Sequence, residues 1–123
     1  MLNVVALRGC LSRPPTLRSL PSDVVVVSLD LTVRREDVEK ADSVPVVWYS
    51  PPEWAGDLVK GAEVVVVGHV ARRFFRNARG GTESRTEVVA SAIVPVRSGR
   101  KVEQVLSKAA SAIEHALPVR RVR

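Results

Sequence analysis

Cysteine is almost absent from this chain, lysine is scarce, and only five of its 123 residues are aromatic. A lone Cys10 cannot close an internal disulfide, which fits a reducing compartment, and it is expected to pack as a small buried hydrophobe. No apolar run approaches the ~18 residues of a membrane span. The longest pure valine runs, Val24 to Val27 and Val64 to Val67, are strand-sized. No basic segment followed by an apolar stretch and a small-residue cleavage site opens the chain, so no secretion signal is expected. Catalytic patterns are missing as well. His69 and His115 fall on different elements, and Asp23, Asp30, Glu36, Asp37 and Glu39 lack metal or paired-carboxylate spacing. No glycine-rich phosphate loop precedes a helix. The chain is read as a soluble protein, not an enzyme, with no cofactor and no metal.

What is present is valine and arginine. Apolar residues make up 46% and charged ones 26%, which suits one globular domain with a proper core. Nineteen basic side chains against thirteen acidic ones leave +6, and fifteen of the nineteen are arginine. The planar, forked guanidinium suits phosphates and base planes, so the placement of these arginines matters.

Valine-rich segments alternate with turn signals. A first strand is predicted over Asn3 to Leu11, with Val5, Leu7, Gly9 and Leu11 on one face, ended by Ser12-Arg13-Pro14-Pro15. A second spans about Ser22 to Val33, where Val25, Val27, Leu29, Leu31 and Val33 alternate with polar residues. A charged linker, Arg34 to Asp42, leads to a short third strand at Val44 to Tyr49. Pro51-Pro52 opens a brief helix that Lys60-Gly61 closes. The fourth strand, Ala62 to Arg76, turns at Asn77 to Thr82 into the fifth, Glu83 to Val96. Five strands with a helix between the third and fourth is the element order of an all-β OB-fold barrel. From Lys101 to Leu117 the period becomes helical, with one apolar stripe through Val102, Val105, Leu106, Ala109, Ala112, Ile113, Ala116 and Leu117. Pro118 stops it, and Val119 to Arg123 form a basic, disordered end. Residues 1–97 are thus read as the barrel and 98–123 as a C-terminal amphipathic helix with a short basic end. The stripe needs a surface to fold on, and its alanines favour a contact between subunits.

The densest chemical signal is the hairpin of the fourth and fifth strands. Arg72, Arg73, Arg76, Arg79 and Arg85 surround Phe74 and Phe75, with Glu83 between them. Alternation puts Arg73 and Phe75 on one face and Arg72, Phe74 and Arg76 on the other. Charge beside an aromatic on one face suits a single strand, because the charge holds the phosphate and the ring stacks a base. Of Trp48 and Tyr49 only one can face inward. Trp54, in the short helix, is read as a lid over the barrel or a further stacking ring. Arg34 and Arg35 could extend a basic track.

These segments resemble the bacterial single-stranded DNA-binding protein family. The carrying residues are Asn3-x-Val5-x-Leu7-x-Gly9-x-Leu11 with Pro14-Pro15 and Arg18, then Leu58-x-Lys60-Gly61-x-x-Val64-x-Val66-x-Gly68-x-Val70. Arg73-x-Phe75, Gly80-Gly81 and Arg85 through Ala90 complete them, over about residues 2 to 96. The resemblance implies a base-stacking role for Phe75, a phosphate contact for Arg73, and a second stacking ring at Trp48 or Tyr49. The aromatic usual before that strand is replaced by Ser43 or Val44. It implies sequence-tolerant binding of single-stranded DNA in replication, recombination or repair, by a cytoplasmic, nucleoid-associated homotetramer paired through first-strand edges. The family's acidic, Phe-terminated tail has no counterpart in Pro118 to Arg123, so a tail-less paralogue is expected, without partners recruited by such a tail and without a membrane. Two other readings remain: a primosome-type OB module whose helix docks a partner, and an OB-fold nuclease. The lack of clustered acids counts against the nuclease.

Overall fold

The computed structural model describes residues 1–116. The stop at Pro118 and the basic end lie outside the described residues. Six strands are formed: β1 (Val5–Leu11), β2 (Thr16–Ser19), β3 (Val25–Arg34), β4 (Ala41–Tyr49), β5 (Glu63–Arg76) and β6 (Thr82–Pro95). They hydrogen-bond in the order β1-β5-β6-β4-β3-β2, and a further β1–β3 pairing closes the ring. The closure is partial: β1 meets β3 only at Cys10 and Leu11, so most of β1 keeps a free edge. All neighbours are antiparallel except β4 and β6, which run parallel through Val46/Val88 and Val47/Val89.

Valine builds this barrel because a β-branched side chain is stiff and fits the pleated surface. The inward phase of each strand contributes to one core, which includes Leu11, Val27, Leu29, Leu31, Val46, Val64, Val66, Val88 and Ile93. Each fully buried valine or leucine contributes roughly 1.5–3 kcal/mol. Two glycines are required by close approach. A Cβ on Gly9 would stand 2.4 Å from the Thr32 carbonyl oxygen, where β1 crosses β3 to close the ring. A Cβ on Gly68 would stand 2.0 Å from the Val89 oxygen, at the bulge after Val67 that bends β5 and β6 together.

Three expectations need correction. Thr16–Ser19 is a strand, paired to β3, although all four residues are exposed. No apolar alternation marks it, because it hangs on the outside of the ring with nothing to bury. The charged linker is shorter than predicted, since β4 already begins at Ala41 and pairs back on Arg34. The brief helix expected between β4 and β5 is formed as a 3₁₀ helix, Glu53–Asp57. Cys10 is exposed: Gly9 and Leu11 take the inward phase of β1 and leave it outside.

The C-terminal helix α1 (Gly99–Ala116) lies on its own barrel. Val102, Val105 and Ala109 cover Val65 and Val67, the outward valines of β5, together with Val4 and Val96. Both faces of the Val64 to Val67 run are therefore buried within one chain. The helix stripe, expected to favour a contact between subunits, packs through Val102, Val105 and Ala109 on its own barrel.

Candidate nucleic-acid interface

β5 and β6 are longer than the barrel needs, and beyond Val70 they project as a two-stranded arm. Its tip is organised by Asn77, whose side-chain oxygen accepts from the backbone N–H groups of Arg79 (3.0 Å) and Gly81 (2.9 Å) while its amide donates to Glu83. An Asx-type tip of this kind fixes the hairpin without burying anything. The register pairs Arg73 with Arg85, Phe75 with Glu83 and Ala71 with Glu87. All of these continue the outward phase of the barrel wall, because Val70/Val88 holds the inward one.

The outer wall next to the arm is a groove. Thr16 and Arg18 of β2, Ser28 and Asp30 of β3, Pro45 and Val47 of β4, Arg85 and Glu87 of β6, and Arg73 of β5 line it, with Arg13 at its rim. Arg73 is the central cation. Its guanidinium carbon sits 5.7 Å from the centroid of the Phe75 ring, and its Nε approaches the Glu87 carboxylate at 3.7 Å. Glu87 is 3% exposed, so its charge is anchored in the floor of the groove, and the arginine head reaches over it toward solvent. The Nε of Arg73 is itself buried without a hydrogen-bond partner, so the groove holds an unused donor. Asp30 is taken up by Arg13. Among the described residues Arg18 and Arg85 have no ion-pair partner, which leaves their charge for a ligand.

Tertiary structure separates the two neighbouring aromatics of β4. Trp48 is in the core, 8% exposed, and Trp54 of the 3₁₀ helix packs its ring edge-on against it at 5.7 Å and 66°. Such a pair contributes ~0.5–1.5 kcal/mol beyond area burial. The candidacy of Trp48 for stacking is thereby corrected, because its ring faces are spent on packing. Trp54 is the lid over that end of the barrel, opposite the arm, with part of its ring exposed. Tyr49 faces outward. The register places it beside Val26, and Val26 beside Arg18, in one row across β4, β3 and β2. Tyr49 and Phe75 thus share the outer wall. They are about eight strand residues apart along β6, which is roughly 27 Å at ~3.4 Å per residue.

Other predicted residues fall elsewhere. Arg34 lines a separate hollow with Gly9, Cys10, Thr32 and Glu63, and Arg35 is paired to Asp42 at 3.2 Å. Neither lies in the groove. Arg76 and Arg79 sit at the exposed end of the arm. Arg72 and Phe74 occupy the opposite face of the arm. Conversely, Arg18, Arg13, Asp30 and Glu87 belong to the groove but were not among the residues singled out for it. Arg18 could have been found only by placing β2, and Glu87 only by noticing an acid directly before the apolar Val88-Val89-Ala90, where the arm joins the barrel. Among the described residues no group of three His, Cys, Asp or Glu could hold a metal ion.

The model of the single-strand binding protein family matches residues 2–96. The chain belongs to that family. A single-stranded DNA-binding protein of Oceanobacillus iheyensis is 37% identical over 100 residues, which cover 76% of this chain and 62% of that one. One from Thermus aquaticus is 34% identical over 94 residues, covering 72% and 36%. A third, from Lactococcus lactis, is 31% identical over 115 residues, covering 88% and 77%. The crystal structure of a deletion variant of the Thermus aquaticus single-stranded DNA binding protein superimposes with a TM-score of 0.63 at 32% identity, over 76% of this chain and 40% of that one. The chain therefore spans just under two thirds of the Oceanobacillus relative and about a third of the Thermus one. The family model stops at Val96, before α1 begins, whereas the Lactococcus alignment, over 88% of this chain, takes in part of α1. Among the described residues no helix is long and apolar enough to cross a membrane.

Proposed function

We propose that this chain binds single-stranded DNA along the outer groove, without reading its sequence. One observation carries the reading: five strands bring Tyr49, Arg18, Arg85, Arg73 and Phe75 onto one wall, with a guanidinium held beside an aromatic ring at the arm. The arginines hold phosphates, and Tyr49 and Phe75 each offer a ring to a base, worth ~1–3 kcal/mol per base. Arginines on phosphates and rings on base faces carry no sequence information, so the contact is sequence-tolerant. The relatives' shared name supports the same ligand.

The chain works as a homo-oligomer. Along Val5 to Gly9, β1 is paired to β5 on one side, while β3 meets β1 only at Cys10 and Leu11. Its other edge is open, and a second copy can pair there. The finer expectation of a tetramer rests on the family alone.

A salt series tests the function. Binding of an oligothymidine should fall with ionic strength at about −0.7 in log–log slope for each phosphate neutralised. A slope near zero, or tighter binding to duplex, would overturn the proposal.

A further inference from the structure

The arm has two faces, and the one turned away from the groove carries the cleaner nucleic-acid chemistry. On the groove face, the cross-strand neighbours of Arg73 and Phe75 bring Arg85 but also Glu83, with Glu87 beside Arg73. Two arginines there meet two acids. On the other face Arg72 pairs with Thr86, Phe74 with Ser84 and Arg76 with Thr82. Two arginines meet three hydroxyls and no acid.

The same device is built on both faces. The guanidinium carbon of Arg72 stands 5.2 Å from the centroid of the Phe74 ring, as that of Arg73 stands beside Phe75. Arg72 is steadied by a 2.9 Å hydrogen bond to the Ser84 hydroxyl. With the guanidinium in place Phe74 is still 64% exposed, the most open ring in the described chain, and Val70 beside it on the same phase is 43% exposed. A phenylalanine this open contributes little to folding, and its arginine has no carboxylate to satisfy among the described residues. An acid-free arginine–aromatic surface attracts a polyanion with planar groups. A protein partner would have to bring acids, and a second copy of this very face would bring arginine against arginine.

We infer that the face formed by Arg72, Phe74 and Arg76 is a second single-strand site, which takes the continuation of the strand as it passes from the groove around the arm. This rests on the groove reading above. The arm then works as a post, with one stacking ring on either side and arginines Arg76 and Arg79 at its end to carry the phosphates across. A strand must be long enough to round the arm before it meets Phe74, so the two faces differ in the length of ligand they need.

Two oligothymidines separate them, one of about 8 nucleotides, within the usual site size of one OB fold, and one of about 30. Phe74→Ala should weaken binding of the long oligomer roughly tenfold and leave the short one within about twofold. Phe75→Ala should weaken both. Phe74→Trp keeps a stacking ring and should restore long-strand affinity. Circular dichroism and light scattering accompany each variant. Equal loss on both lengths, no loss on either, or a loss that coincides with a change in oligomer size would each overturn the inference. The last outcome would make this face a protein contact. If the unaltered chain fails to bind even the long oligomer, the groove reading falls, and this one with it.

Discussion

Arg73 holds a buried acid as well as facing the ligand, so its removal should have two separable effects. Glu87 is 3% exposed and has Arg73 as its only ion-pair partner among the described residues, at 3.7 Å. Breaking a fully buried pair by removing one partner costs ~3–5 kcal/mol, because the other charge is stranded. The Arg73 side chain is 40% exposed, so water screens the pair and a cost of about 1–2 kcal/mol is the better figure. For a domain of this size that lowers Tm by about 5–15 °C. The Arg73→Ala variant should therefore be less stable, and its binding slope should be shallower by about 0.7 through the loss of one phosphate contact. Adding Glu87→Gln removes the stranded charge. The double variant should regain most of the lost Tm, yet keep the shallow slope. Thermal unfolding and a salt titration of the three proteins read both effects. An unchanged Tm in Arg73→Ala would refute the account of Glu87, and a normal slope would refute that of Arg73.

Tyr49→Ala should cost ~1–3 kcal/mol of binding with little change in Tm or salt slope, whereas Trp48→Ala should cost ~3–5 kcal/mol of folding stability; denaturant melts with parallel binding assays distinguish a stacking ring from a core one. Glu87→Gln alone should tighten binding, since it removes an acid from the groove floor, and a weaker complex would show that the carboxylate's hold on Arg73 matters more than its repulsion. Ending the chain after Ser98 exposes Val65 and Val67, so the shortened barrel should melt earlier and self-associate further by light scattering. An unaltered melt and size would mean that α1 adds nothing to the barrel it covers. Light scattering of the full chain at micromolar concentration should show an oligomer, and a stable monomer would contradict pairing at β1.

The strands were legible in the sequence because a period of two in valine and leucine has one physical meaning when turn residues bracket it. Residues 3–11, 62–76 and 83–96 therefore carried their strands to within a residue or two, and the barrel followed from their order. The arm was legible for the same reason: alternation alone divides Arg73 and Phe75 from Arg72 and Phe74. β2 was not, since a strand that buries nothing leaves no apolar rhythm. Nor could the sequence separate Trp48 from Tyr49, because adjacent residues on a strand differ only in which side the closed ring turns inward. That is a property of the β3, β4 and β6 register, not of β4. The groove itself is tertiary in the same sense. Arg18, Tyr49, Glu87 and Arg73 are scattered over some seventy residues of chain, and only the ring order β5-β6-β4-β3-β2 sets them side by side. The helix shows the division most clearly. Its apolar stripe determined that it must be covered, but the covering surface was decided by Val65 and Val67, whose outward faces no other strand could bury.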